Sequence, residues 1–283
     1  MVAAENDARL LGGVRVLVFT LWIYTALSAS LAPLAQLPLE LLEPPWILLP
    51  IPRPAWEWIL QPSVLTAFQV LMVVASLAAA VGVRPYRATA LLAAGLATFD
   101  QALKRSWGYG DHPEILLLLT TYVVAMAPAG DRLSWPRRRD LGPHPGEYAA
   151  AIAFIGVIAC FTYVAPAAYR VAHHSWATLT SPTLLYAIVQ NSFRGPSDSV
   201  GVFFLRHETL AQSLQMTVPL ATVLELASPL ALLSRPFRRP WLLFALVFHT
   251  LNAFIVAVPF WENLVIVAAA LVAIDRLGED ASR

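Results

Sequence analysis

The sequence predicts an all-α, polytopic integral membrane protein with about eight transmembrane helices. Hydrophobic residues make up 58% of the 283-residue chain and charged residues only 13%, whereas soluble domains carry about 25% charged residues. The apolar residues form runs long enough to cross a bilayer. Arginines are concentrated in alternate loops between these runs. We expect residues 1–283 to form a single membrane domain.

Eight apolar runs are predicted to span the membrane, each close to the roughly 20 residues that a bilayer requires. They are residues 11–31, 63–83, 87–104, 113–129, 147–169, 212–234, 240–258 and 262–275. The last two are separated by only Pro259, Phe260 and Trp261, so they could instead be one helix and a re-entrant piece. Acidic residues precede the first run, which is therefore expected to be a retained helix and not a cleaved signal.

The loop charges predict the orientation. With the N-terminus inside, the inside loops contain clusters of arginine, namely Arg84 and Arg87, Arg132 and residues 137–139, and Arg235, Arg238 and Arg239. Basic residues accumulate in cytoplasmic loops of membrane proteins. We therefore expect both termini in the cytoplasm and place the chain in a bacterial cytoplasmic membrane.

Two segments are expected on the outer side. Residues 32–62 contain eight prolines and three tryptophans. The prolines exclude a continuous helix, and tryptophan favours the membrane interface, so we expect a broken interfacial segment. Residues 170–211 are expected to form a second outer loop.

The first polar constellation begins near the outer end of the third span. Asp100 and Lys104 are four residues apart, so a helix would bring them onto one face. Trp107, Tyr109 and His112 follow. The group is typical either of an interfacial turn with a neutralised ion pair or of a site in which a carboxylate and a histidine act as acid and base.

The second constellation lies at the outer end of the fifth span. It comprises Tyr163, Tyr169, Arg170, His173, His174 and Trp176. Adjacent histidines do not share a helix face, and no zinc-binding spacing occurs, so no metal is expected. The alternative to a site is an interfacial cap with aromatic anchors.

Polar residues also occur deep within two later spans. Glu225 lies in the sixth span, where a carboxylate must be protonated, paired or facing a polar cavity. His249 and Asn252 are three residues apart in the seventh span and share one helix face. Such residues either transfer protons or simply form hydrogen bonds between helices.

Several functions are disfavoured by composition and motif. The net charge of +1 gives no electrostatic case for nucleic acid. The single cysteine, Cys160, excludes a disulfide framework within the chain. Sequence motifs for phosphate loops, diphosphate-binding DDxxD sites, G-x-S-x-G hydrolases and H-E-x-x-H proteases do not occur.

Four stretches, in this order, resemble the HTTM family, which includes the membrane domain of vitamin K-dependent gamma-carboxylase. They are FDQALKRSWGYGDHPEILLLL (99–119), APAGDRLSW (127–135), YVAPAAYRVAHHSW (163–176) and VLELASPLALLSRPFRRPWLLFALVFHTLNAF (223–254). The resemblance covers most of residues 85–275.

The resemblance implies an enzyme that acts on an isoprenoid lipid of the quinone type, such as a menaquinone-like cofactor. His112 and His249 would transfer protons, and Asp100 or Glu225 would complete the relay. Arg170 falls where the family has its lysine base, and arginine stays protonated. Arg170 would therefore hold an oxyanion, and carboxylation of peptides is not expected. Trp107, Tyr109, Tyr169, Trp176 and Asn252 would contact the substrate.

Two other functions fit the same pattern. A prenyl substrate could be cyclised by a protonated Asp100 or Glu225, with Trp107, Tyr109 and Tyr169 stabilising cations through their ring faces. The chain could instead be a non-catalytic membrane partner or immunity-type protein, which binds another protein. For all of these functions we expect contact with membrane lipid and no binding of nucleic acid.

The topology gives the first testable prediction. Cysteine placed at Ser197, in a background lacking Cys160, should react with a membrane-impermeant thiol reagent in intact cells, because residues 170–211 are expected outside. A matched cysteine at Arg138, in an expected inside loop, should react only after lysis. The reverse pattern would contradict the proposed orientation.

Overall fold

The computed structural model describes residues 2–107, 114–135, 146–173, 182–192, 200–256 and 260–281. All the regular elements in these ranges are helical, which agrees with the predicted all-α class. The chain divides into two compact units, the first ending at Ile152 and the second beginning at Ala153. Each unit is described by itself.

The first unit is a four-helix bundle with an additional short helix. Helices α1, α3, α4 and α5 pack in sequence, and α5 returns against α1. The five helices are α1 Val2–Ser28, α2 Arg53–Ile59, α3 Pro62–Val81, α4 Tyr86–Arg105 and α5 Ile115–Met126.

Helix α3 shows how the sequence sets these bounds. Pro62 occupies the first turn, where its missing N–H costs nothing. Gly82 follows the helix with a left-handed φ of +74°, the conformation that ends many helices. Met72 and Ala79 are buried, whereas the outward face exposes valine and leucine side chains at positions 70, 71, 74 and 77. A helix that is apolar on both faces is typical of a lipid-facing span.

A buried arginine joins α1 to the segment after α5. The Arg15 guanidinium donates to the carbonyl oxygens of Ala129, Arg132 and Leu133 at 2.8, 3.1 and 2.5 Å. Gly82 packs against the same guanidinium, because a Cβ at this position would lie 2.7 Å from its Nη1 atom. The arginine therefore satisfies backbone carbonyl groups of the irregular segment that follows α5.

The proline-rich segment is broken, as its sequence predicts. It forms three 3₁₀ turns, Ala32–Gln36, Leu39–Leu41 and Trp46–Leu48, and then α2. Its buried side chains, including Trp56, pack against Leu103 of α4. The segment is therefore fixed on the bundle by its apolar side chains.

The second unit contains most of one long helix and seven shorter or terminal ones. These are α6 Gly146–His173 (from Ala153 onward), α7 Thr183–Ser192, α8 Val200–Leu205, α9 Glu208–Gln215, α10 Thr217–Leu226, α11 Pro229–Leu233, α12 Arg235–Leu251 and α13 Trp261–Ala281. Helix α12 continues into a π-helical turn, Asn252–Val256. Arg238 on α12 forms an ion pair with Asp275 on α13.

The predicted sixth span, residues 212–234, is not one helix. This prediction is wrong, because the region consists of the end of α9 followed by α10 and α11. Pro219 and Pro229 lie in the first turns of α10 and α11. Proline cannot donate a helical hydrogen bond and clashes with the preceding turn, so the helix is interrupted before each proline.

Four helices in the described part of the chain have the length and hydropathy needed to cross a membrane. They are Ala4–Ser28, Pro62–Val81, Gly146–His173 and Arg235–Val256. This is fewer than the eight spans expected. Ile115–Met126 is apolar but short, and α4 carries Arg87, Asp100, Lys104 and Arg105.

Replacement of Arg15 tests its role in the first unit. Arg15→Lys should lower the free energy of unfolding by about 2–3 kcal/mol, because a lysine cannot reach all three carbonyls and leaves buried acceptors unpaired. Unfolding in detergent micelles measures the change. Arg9→Lys is the control, since Arg9 forms an exposed pair with Glu5 that should contribute less than about 1 kcal/mol. Equal effects of both replacements would contradict the assigned role.

Candidate functional site

The residues singled out from the sequence fall into three groups. Asp100 and Trp107 belong to the first unit. Five belong to the second unit, namely Tyr169, Arg170, Glu225, His249 and Asn252. Tyr109, His112 and Trp176 lie outside the described residues.

Asp100 is buried in the first unit and has a cationic partner. Its Oδ2 atom accepts a hydrogen bond from Lys104 Nζ at 2.8 Å, as their spacing predicts. Gln101 also donates to Oδ2, at 3.2 Å. Trp107 is half-buried against the proline-rich segment, and its indole N–H points to the Pro38 carbonyl oxygen at 3.4 Å. The arrangement matches the neutralised ion pair that was the simpler interpretation of this constellation.

One face of α6 carries the polar contacts of the second unit. Cys160, Tyr163, Ala167 and Arg170 follow one another at intervals of three or four residues, so they lie along one side of the helix. Cys160 Sγ donates to the Ser228 carbonyl oxygen, and Ser228 Oγ donates to the Cys160 carbonyl oxygen. These reciprocal bonds fix α6 against the start of α11.

Tyr163 and His249 form a buried pair. The Tyr163 hydroxyl lies 2.6 Å from His249 Nε2, and only 5% of His249 is exposed. Trp241 packs edge-on against the Tyr163 ring, with 4.9 Å between centroids. His249 Nδ1 is buried and has no hydrogen-bonding partner among the described residues.

Arg170 and Glu225 form the second pair on this face. Their side chains make an ion pair. Glu225 is 4% exposed, and the Arg170 side chain is 31% exposed. Glu225 is therefore the paired carboxylate that its position within an apolar segment requires. An oxyanion held by Arg170 would have to share the guanidinium with Glu225.

The two pairs are related through α6. Tyr163 and Arg170 are seven residues apart on one face, which is about 10 Å along the helix axis. His249 and Glu225 therefore reach the same side of α6 from α12 and α10. We call these four residues the α6 polar face.

Two other predicted site residues, Tyr169 and Asn252, are not members of these two side-chain pairs. Tyr169 is exposed and stacks on His173, with 4.1 Å between ring centroids. Asn252 is half-buried at the first position of the π-helical turn. The Asn252 backbone N–H donates to the carbonyl oxygens of Phe248 and His249.

Tyr163 belongs to the second constellation but was not among the predicted site residues. A tyrosine near a span end is usually an interfacial anchor, which is the alternative expected for this constellation. Its position seven residues before Arg170 was the available signal, since this spacing places both on one face.

The Tyr163–His249 pair can hold or move a proton. A neutral imidazole has one donor and one acceptor nitrogen. With Nε2 engaged by the tyrosine, Nδ1 is left as an unpaired donor or acceptor, depending on the tautomer. A buried polar atom without a partner costs about 1–3 kcal/mol, so the atom is suited to receive a ligand oxygen.

The chain matches no protein-family model, and comparisons with curated proteins and with solved structures give no match either. Within the described ranges, no group of three histidine, cysteine or carboxylate side chains is arranged to hold a metal ion.

Replacement of Tyr163 tests the pair. Tyr163→Phe should lower the free energy of unfolding by about 1–3 kcal/mol, because it leaves both imidazole nitrogens unpaired in a buried place. Tyr186→Phe is the matched control, since Tyr186 is 70% exposed. Denaturation in detergent micelles measures both variants, and an unchanged Tyr163→Phe protein would contradict the contact.

Proposed function

We propose that the chain is an integral membrane enzyme of the HTTM type that acts on an isoprenoid lipid with a quinone-type head group. The observation that carries the proposal is the buried Tyr163–His249 hydrogen bond with an unpaired His249 Nδ1. An oxygen of a quinone or hydroquinone head group could form the hydrogen bond that His249 Nδ1 does not make within the protein. The prenyl tail could pack against the apolar side chains.

The membrane arrangement is part of the proposal. Several membrane crossings with both termini in the cytoplasm are supported by the alternating arginine loops, and a bacterial cytoplasmic membrane is the proposed location. The four apolar helices and the outward valine and leucine side chains of α3 support contact with lipid.

The chemistry follows from the α6 polar face. When Nε2–H donates to the Tyr163 oxygen, Nδ1 has a free lone pair and can accept the proton of a hydroquinone hydroxyl. His249 would then be a cation beside the Tyr163 oxygen, and the substrate an anion. The Arg170–Glu225 pair lies about two turns farther along α6. Its guanidinium could orient that anion, because arginine remains charged.

Cyclisation of a prenyl substrate is less well supported. The acid that starts such a reaction must give up a proton, whereas Glu225 and Asp100 both have cationic partners. Carboxylation of peptides is also disfavoured, since Arg170 stands where the HTTM family has its lysine base.

One observation favours a non-catalytic function as the second candidate. The Arg170–Glu225 pair and the Cys160–Ser228 bonds link helices to one another. Such contacts stabilise helix packing in membranes without any chemistry. A protein that only binds a membrane partner would contain the same contacts.

Lipid analysis and a turnover assay separate these functions. Mass spectrometry of the protein purified in mild detergent should detect an isoprenoid quinone. His249→Ala should retain this lipid through its tail. With O₂ supplied as the two-electron oxidant, it should convert added menaquinol to menaquinone and H₂O₂ about 100-fold more slowly than the unaltered protein, because a positioned acid or base contributes 10²–10⁴-fold. Tyr186→Phe should behave like the unaltered protein.

Two results would decide against the enzyme. A purified protein without any isoprenoid lipid would remove the proposed substrate. Full turnover in His249→Ala would remove the proton-transfer assignment and favour the non-catalytic function.

A further inference from the structure

Helix α12 changes its winding directly after the Tyr163–His249 pair. His249 lies in the last α-helical turn, and residues Asn252–Val256 form a π-helical turn. A π-turn is wider than an α-turn, is rare, and occurs frequently at functional sites. Its geometry sets the direction in which the end of α12, including His249, meets its neighbours.

Three short helices pack near this turn. Helices α7 and α8 both contact residues Asn252–Val256, and α9 packs against α7 and α8. The side-chain oxygen of Gln215 at the end of α9 accepts the backbone N–H of Leu184 on α7 at 3.0 Å. We call α7, α8 and α9 the short-helix segment.

The closest contact occurs at Gly201 on α8. A Cβ atom added here would lie 2.1 Å from the Ile255 carbonyl oxygen and 2.7 Å from Ile188 Cγ2. The Ile255 oxygen belongs to the backbone of the π-turn, so it cannot rotate away as a side chain would. The Ile188 side chain also abuts the position that the Cβ atom would occupy. A methyl group can be accommodated only if α8 or the π-turn moves.

We propose that Gly201 is a positioning residue, through which the short-helix segment holds the π-turn and thereby aims His249 at Tyr163 and at the lipid head group. The part that concerns the lipid rests on the proposed function; the effect on the Tyr163–His249 hydrogen bond does not. Gly201 touches no reacting atom and acts only through the position of the π-turn.

The variant that tests this is Gly201→Ala, with Gly95→Ala as its matched control. Gly95 is also a helical glycine, but a Cβ there would meet nothing within 4 Å. Both variants add one methyl group to a helix. Only the first forces a displacement of α8 or of the π-turn that follows His249.

The decisive measurement is the ¹⁵N resonance of the His249 ring in nanodiscs, assigned by its disappearance in His249→Gln. The hydrogen bond to Tyr163 sets this resonance. Gly201→Ala should shift it in the direction seen in Tyr163→Phe, and Gly95→Ala should leave it in place. An unshifted resonance in folded Gly201→Ala protein would overturn the proposal.

A second variant decides the matter if Gly201→Ala does not fold. Ile188→Ala removes a side chain that packs against α8 at Gly201 and forces no new contact. The replacement weakens the packing of α8 against α7 and should shift or broaden the ¹⁵N resonance of the His249 ring. A resonance identical to that of the unaltered protein would then overturn the proposal.

Retention of added menaquinone-4 separates this inference from the proposed function. If the unaltered protein retains the quinone, and Gly201→Ala both loses it and shows the resonance shift, the positioning role of Gly201 and the proposed substrate are both supported. If unaltered protein retains none while the resonance still shifts, Gly201 positions His249 but the proposed substrate is wrong. Retention in Gly201→Ala equal to that of Gly95→Ala would overturn the link to the lipid.

Discussion

Buried polar groups in this chain must be satisfied by other groups of the protein, and this constraint explains most of its specific contacts. In an environment without water, each unsatisfied hydrogen-bonding group costs several kcal/mol. Trp22 donates its indole N–H to Thr121 at 2.7 Å, and the Tyr86 hydroxyl donates to the Val124 carbonyl oxygen at 2.7 Å. Contacts of this kind fix the register between helices whose apolar surfaces could otherwise slide. His249 Nδ1 departs from this pattern, as do the buried hydroxyl groups of Thr25, Ser76 and Thr120.

Proline has a second organising effect, because it decides where helices stop. The prolines of residues 32–62 leave only short turns, whose apolar side chains pack on the first bundle. Pro219 and Pro229 divide the sixth apolar run. The short helix that results, α10, brings Glu225 to Arg170. Hydropathy alone does not distinguish a continuous span from a broken one, since proline is tolerated in membrane helices where neighbours satisfy the freed backbone groups.

The sequence predicted the features that depend on local chemistry. The helical class, the broken segment at residues 32–62 and the Asp100–Lys104 pair all follow from composition or short-range spacing. The partners of residues far apart in the chain could not be derived in this way. Tyr163 and His249 are 86 residues apart, and nothing near either residue specifies the other. The same applies to the contact of Gly201 with Ile255, because a single glycine in an apolar stretch has many explanations.

The contacts of Arg15 have a consequence for biosynthesis. Its three acceptor carbonyls lie 114 to 118 residues later in the chain. An arginine in a membrane helix costs about 2.5–3.5 kcal/mol at the bilayer centre while it has no partner. The Arg15 guanidinium of the first helix therefore has no hydrogen-bonding partners when it leaves the ribosome. Its acceptors become available only after residue 133 has been translated. Until then, nascent α1 is a segment that favours the translocation machinery or the head groups over the lipid interior.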